Sequence, residues 1–253
     1  MAMNPEIISL IIFVCLAVAV LAGRGLRRLL PEHHLNAETK DAVKLAMGLI
    51  ATMAALLLGL LVSSAKGSYD TVRSEVIQMA SKVTLLDRVL HLYGSEAAPL
   101  RAQFHTAAEE VTRQMWAPNG HEVALKTHSA DAFYAAIQSL SPKDDTQRAL
   151  KASALSLAVE LAQLRTLLRV QSIASISTPL LVVVICWLVI IFFCFSLIAP
   201  PNATATMASL VSAFAVAGAI FLILEMDQPF DGLLQISNRP LVNALTQIEK
   251  GTP

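Results

Sequence analysis

The stretch Pro179–Ala199, PLLVVVICWLVIIFFCFSLIA, is followed after Pro200-Pro201-Asn202 by a second uncharged apolar run from about Ala203 to Leu224. A mirror of this pair lies near the other end of the chain, where Ile7–Ala22 and about Leu45–Val62 are also free of charge. A bilayer core of ~30 Å is crossed by ~20 helical residues, and each run reaches that length once its ends slide. In lipid only helices and closed barrels satisfy every backbone group. These runs are continuous rather than alternating, so they are read as helices. The expected fold class is an all-α membrane protein: four transmembrane helices with a central extramembrane helical bundle or coiled-coil module.

The expected division follows. Residues 1–65 form a transmembrane hairpin (helices about 7–23 and 43–64), and 66–174 form the extramembrane module. Residues 175–226 form a second hairpin (helices about 177–199 and 203–225), and 227–253 form a C-terminal tail. The first run is not read as a signal peptide, which needs a basic stretch ahead of its apolar core. Met1–Pro5 carry no Lys or Arg, and Arg24, Arg27 and Arg28 come afterwards. Apolar residues make up 55% of the chain, charged residues 15%, and the net charge is zero. That balance gives no sign of nucleic acid as a partner; the expected partners are the lipid bilayer and further copies of the same chain. Cys15, Cys186 and Cys194 lie inside the apolar runs and form no disulfide or metal spacing.

Small residues recur every four positions in the second run (Ala51, Ala55, Gly59, Ser63) and in the fourth (Ala205, Ser209, Ala213, Ala217). Positions i and i+4 share a helix face, and small faces let membrane helices approach closely. Helices two and four are therefore expected in the interior or at a subunit interface, with bulky helix three against lipid. Helix two is also the candidate to line a pore. Its apolar face, Ile50, Met53, Leu57 and Leu61 with Met47 above, would form a constriction that gates by dewetting. Ordinary packing is the alternative.

In the central segment Val72, Val76, Met79, Val83, Leu86 and Leu90 alternate steps of four and three, an a/d seam. No Gly or Pro intervenes between Gly67 and Gly94, so helix two is expected to run on to about Tyr93. Leu157, Leu161, Leu164 and Leu168 form a matching seam on a helix of about 144–170, with Ser141 as N-cap and Pro142 at its first position. This helix is expected to feed straight into helix three. Shorter helices are expected over about 97–116, ended by Pro118-Asn119-Gly120, and over about 131–140.

Motifs for enzymic chemistry are absent, and no catalytic residue is assigned. Ser63-Ser64-Ala65-Lys66 matches S-x-x-K without its companion elements; Lys66 reads as a side chain snorkelling at a membrane exit. His33-His34 beside Glu32 reads as a loop. Asn202-Ala203-Thr204 reads as the N-cap of helix four. The conspicuous polar cluster is Glu225, Asp227 and Asp231, directly after helix four, with Pro229 and Gly232 among them. Carboxylates at a membrane boundary are costly and often functional. These three could coordinate calcium through hard oxygen ligands, anchor basic residues such as Lys66 or Arg169, or form a hydrated helix end.

Four stretches carry a family likeness: Leu26–Leu35, Val43–Thr52, Leu58–Lys66 and Asp227-Gln228-Pro229-Phe230-Asp231-Gly232. With them, nearly the whole chain resembles the bacterial bestrophin-like domain family, whose own function is not assigned. Bestrophins are pentameric anion channels with four membrane helices per subunit and a large helical cytosolic part. Their second helix lines the pore, and acidic residues after the fourth sense calcium. The resemblance implies a homo-oligomeric chloride-type channel in a bacterial inner membrane, with the module and both termini cytoplasmic. In this chain the acidic run is shorter. Arg24, Arg27, Arg28, Lys40 and Lys44 in the first loop point the other way, since basic loops favour the cytoplasm. A non-conducting scaffold and a small transporter are the rival functions; the transporter is disfavoured by the lack of ionisable residues within the spans.

Overall fold

The structure, a computed structural model of the chain, describes residues 4–29, 31, 37–117, 128–171, 177–200 and 202–250. His33-His34 and the Pro118-Asn119-Gly120 break lie outside the described residues. Every α-helical element found can be given in order: α1 Pro5–Leu29, α2 Ala37–Tyr93, α3 Ala98–Met115, α4 His128–Gln138, α5 Asp145–Gln171, α6 Thr178–Ile198, α7 Ala203–Met226 and α8 Arg239–Lys250, with a short 3-10 turn Ser95–Ala97 ahead of α3. The chain forms two compact units. One comprises Met1–Gly67 and Ser175–Asp227; the other comprises Ser68–Ala174 and Gln228–Pro253. Helix α2 contributes its first part to one and its remainder to the other.

Among the described residues four helices, α1, α2, α6 and α7, are long and apolar enough to cross a membrane. In the membrane unit α1 is the central element and packs on both α6 and α7. Its buried stripe is Ile12, Leu16, Ala19, Val20 and Gly23. Opposite it, α6 buries Leu181, Val184, Leu188, Phe192 and Ser196, and the buried Ser196 hydroxyl donates to the Val20 carbonyl at 2.6 Å. From α7 come Ser209, Ala213, Ala217, Ile220 and Ile223, and Phe214 meets Phe13 edge-on at 5.9 Å. On the small face of the fourth span Ser209, Ala213 and Ala217 are buried and Ala205 is half-buried, with Ser209 returning its hydroxyl to Ala205 O at 2.8 Å. The third span differs from expectation. It is not wholly given to lipid, because one of its stripes is spent on α1.

Gly23 marks the closest approach. A Cβ built there would lie 2.5 Å from Phe193 O and 3.1 Å from Ser196 Cβ. Backbone cannot recede cheaply from such a contact. Gly23→Ala is expected to cost roughly 1–3 kcal/mol, read as a lower unfolding temperature in detergent. Gly25→Ala, whose Cβ would meet nothing within 4 Å, should leave that temperature unchanged. Equal shifts for the two would refute the close-approach account.

In the second unit the two seams share one core. Val72, Val76, Met79, Val83, Leu86 and Leu90 of α2 are buried with Leu157, Leu164 and Leu168 of α5, and Leu161 packs against them. Burying a leucine-sized side chain stabilises by about 1.5–3 kcal/mol, so the seams dominate this unit. Lys82 of α2 bonds Glu160 of α5 beside the seam. Helix α5 starts later than read from sequence. Its N-cap is Asp144, not Ser141: Asp144 Oδ1 accepts from Gln147 N at 2.7 Å, while Gln147 Oε1 accepts from Lys143 N at 2.8 Å. This is close to a capping box. A cap must sit one residue ahead of helical dihedrals, and the Ser141-Pro142 pair, though it carries the usual start signal, falls too early for a helix that begins at Asp145. Helix α5 ends at Gln171 and α6 begins at Thr178 as a separate element; residues 172–176 lie outside the described ones. The stretch read as a tail is folded. Helix α8 buries Leu241, Ala244, Leu245 and Ile248 in the same core as the seams.

Candidate functional site

Of the four spans, α2 is the least covered by its own chain. Only 11% of its most apolar window is buried, against 28% for each of the others. The helix presents three faces. One carries Ala54, Leu61 and Ala65, all buried, with Leu57 and Leu58 packed against the membrane core. A second carries Leu45, Leu49, Met53, Leu56 and Leu60, exposed from 50% at Met53 to 78% at Leu45. The third is the small face, with Ala51, Ala55, Gly59 and Ser63 all exposed.

This sorts the residues singled out from sequence. Leu61 is 2% exposed and belongs to the chain's own membrane core. Ile50 and Leu57 are half-buried on the same side. Of the expected pore stripe only Met53 lies on the open apolar face, and that face is completed by Leu49, Leu56 and Leu60. The apolar period of a helix reveals a stripe; it does not say which of two apolar stripes meets the chain's own helices. The small face of α2 is likewise free in the single chain, whereas its counterpart on α7 is consumed by α1.

At one end of the membrane unit, α1 is tied to the α6–α7 turn. Arg24 Nη2 donates to Asn202 O at 2.8 Å, and Arg27 Nη1 donates to Ile198 O at 2.9 Å and to Ala199 O. The Ile198 and Ala199 carbonyls lie at the C-terminal end of α6, where cations are favoured. Asn202 in turn caps α7, its Oδ1 accepting from Ala205 N at 2.9 Å, as read from sequence. Two of the basic residues that argued for a cytoplasmic loop therefore have a structural task independent of topology.

The acidic stretch is built differently from a cation cage. Glu225 is 2% exposed at the end of α7, and Asp227 is its C-cap. Among the described residues, no three His, Cys, Asp or Glu side chains are grouped as a metal ion requires. Glu225, Asp227 and Asp231 are not gathered in such a group. The stretch has a clear structural role instead. Phe230 is buried and meets Trp116 edge-on, ring centres 5.6 Å apart. Asp231 N donates to Gln228 O at 3.2 Å, Ile236 N to Pro229 O at 2.8 Å, and Trp116 Nε1 to Ile236 O at 2.7 Å. Gly232 takes φ +84°, a left-handed value that favours glycine.

The second unit holds a buried ion pair and outward-facing apolar residues. Asp87 accepts from Arg101 Nε at 2.6 Å and Nη2 at 3.0 Å, and these hydrogen bonds hold the Arg101 guanidinium above its ordinary value. On α2, Ile77, Leu85 and Leu92 are exposed at near-heptad spacing, and α5 exposes Val159 and Leu167. Sequence reading passed over this second stripe; its signal was apolar residues about two helical turns apart off the a/d seam.

Comparison with known proteins places the fold. The family model for the Bestrophin-like domain matches residues 14–241. A crystal structure of a mutant bacterial bestrophin homolog from Klebsiella pneumoniae is similar, with a TM-score of 0.64 at 13% sequence identity, covering 96% of this chain and 95% of that one. No curated protein matches the chain.

Proposed function

The chain belongs to the Bestrophin-like domain family, and from that premise we propose that it is the subunit of a homo-oligomeric anion channel, a pentamer in a bacterial inner membrane. The observation that carries the reading is the uncovered state of α2. A 57-residue helix with two open faces in its membrane part suits a position where both faces meet something outside the subunit. The small face suits close approach to a neighbouring subunit. The face of Leu49, Met53, Leu56 and Leu60 suits an apolar constriction that admits ions only when wetted. The outward stripes of Ile77, Leu85 and Leu92 and of Val159 and Leu167 support further contact between subunits in the second unit. A cytoplasmic second unit follows the family, and the capping role of Arg24 and Arg27 lessens the contrary weight of the basic loop.

The test is mass determination of the purified protein together with anion flux from liposomes. A ring-sized oligomer is expected, with basal flux raised severalfold by Leu56→Ser or Leu60→Ser. Leu61→Ser should instead lower thermal stability without raising flux, because Leu61 packs inside the subunit. A monomeric mass, or flux unmoved by either exposed-face substitution, would sink the channel reading and leave a non-conducting scaffold.

A further inference from the structure

Beside the α6–α7 turn the membrane unit forms an open-sided cavity of about 480 Å3. Its walls are of two kinds. Met47, Phe195, Ile198 and Ala208 give an apolar side, and Lys40 and Lys44 from the first turns of α2 give a basic one. The apolar wall comes from the end of α6 and the start of α7, the terminal turns of two membrane spans. The cavity thus lies where acyl chain meets headgroup for any lipid beside the protein. Lysines near span ends extend their ammonium groups to that level, and basic pockets between membrane helices recruit anionic headgroups.

We infer that this cavity is a binding site for an anionic phospholipid of the surrounding bilayer, its phosphate held by Lys40 and Lys44 and an acyl chain lying along Phe195 and Ile198. The charged residues lining the cavity are Lys40 and Lys44. Lys44 shares a 2.9 Å contact with Asp41, but both side chains are well exposed there, at 61% and 69%. Such a pair is screened by water and easily exchanged for a phosphate. The positive end of α7 lies on the same side: Ala205 and Ala208 belong to its first turns and line the cavity. Arg24 and Arg27 add positive charge at the adjoining carbonyls of Ile198, Ala199 and Asn202, so the phosphate would enter a basic surround. A zwitterionic lipid offers the same chain without the net charge. The inference is independent of ion conduction.

The experiment is native mass spectrometry of the detergent-purified oligomer titrated with phosphatidylglycerol or phosphatidylcholine, with unfolding temperature read in parallel. Retained phosphatidylglycerol and a raised unfolding temperature are expected for the unaltered protein. K40Q/K44Q should weaken phosphatidylglycerol binding by roughly thirtyfold, about fivefold for each lysine, with phosphatidylcholine binding unchanged. Lys143→Gln, an exposed lysine of the other unit, serves as the charge control and should change nothing. Ala208→Phe, which fills the apolar wall, should displace the lipid with both lysines in place. Inorganic phosphate should neither bind nor stabilise. Equal binding of the two lipids, undiminished phosphatidylglycerol binding in K40Q/K44Q, or stabilisation by inorganic phosphate alone would each overturn the assignment.

Discussion

Phe230→Ala should destabilise the second unit by about 3–5 kcal/mol, the usual range for truncating a buried phenylalanine. The side chain is 7% exposed and sits in the core shared by α2, α5 and α8. Its edge-on contact with Trp116 adds to the area term, since such pairs contribute roughly 0.5–1.5 kcal/mol beyond burial. The backbone around it has little room to collapse into the space. The turn is closed by Asp231 N on Gln228 O, and the returning chain is fixed by Ile236 N on Pro229 O and by Trp116 on Ile236 O. A cavity should remain, and Trp116 should lose its cover. The check is chemical unfolding of the full chain in detergent, with tryptophan emission recorded in a Trp187→Phe background so that Trp116 reports alone. A red shift and a lower midpoint are expected. The two accounts of this acidic stretch part over calcium. A calcium site would stabilise the folded chain in proportion to RT ln(1 + [L]/Kd), so the loss would appear chiefly in calcium and vanish in a chelator. The structural account expects the same loss in both. A loss confined to calcium-containing buffer would show that the Phe230 turn acts through the ion.

The legible and illegible parts of this chain divide along a physical line. Lipid imposes length and charge limits on each span separately, so α1, α2, α6 and α7 could be located from their own residues. The a/d seams were equally local: Val72 to Leu90 and Leu157 to Leu168 each carry a period with one meaning, and both were found in one core. What could not be read is the choice of partner. Gly23 looks like any glycine near a span end until Phe193 O is placed 2.5 Å from its missing Cβ, although Ala19 and Gly23 four apart were a small-residue signal that went unread. Helix α2 carries two apolar stripes of equal quality. Only the packing of α1, α6 and α7 decides that Leu61 turns inward and Leu56 and Leu60 do not. Helix α8 was legible and missed: Leu241, Ala244, Leu245 and Ile248 fall at i, i+3, i+4 and i+7, a core-facing pattern in a segment read as tail because it followed the last span.

Asp87→Ala should cost a comparable amount, about 3–5 kcal/mol, because it removes one partner of a buried ion pair and leaves the other charge enclosed. The side chains are 8% exposed at Asp87 and 15% at Arg101. Both carboxylate oxygens accept from the guanidinium, at 2.6 Å and 3.0 Å, and that two-point geometry makes the pair strong. His91 Nδ1 lies 3.5 Å from Arg101 Nη1 and is no replacement for the carboxylate. The pair joins α2 to α3 across the end of the seam, where Leu86 and Leu90 are packed. Breaking it should loosen α3 as well as lower the midpoint. The distinctive expectation concerns the double variant. Two charges taken out of water recover only part of their hydration, so replacing both by apolar groups of similar size is often neutral or stabilising. Asp87→Leu with Arg101→Met should therefore regain most of what Asp87→Ala loses. Arg101→Met alone should be as damaging as Asp87→Ala, since it strands the carboxylate. A double-mutant cycle on urea unfolding midpoints measures the coupling. Additive single effects, with the double variant as unstable as their sum, would mean that the two side chains are held by other partners and that their contact contributes nothing to the hold of α3 on α2.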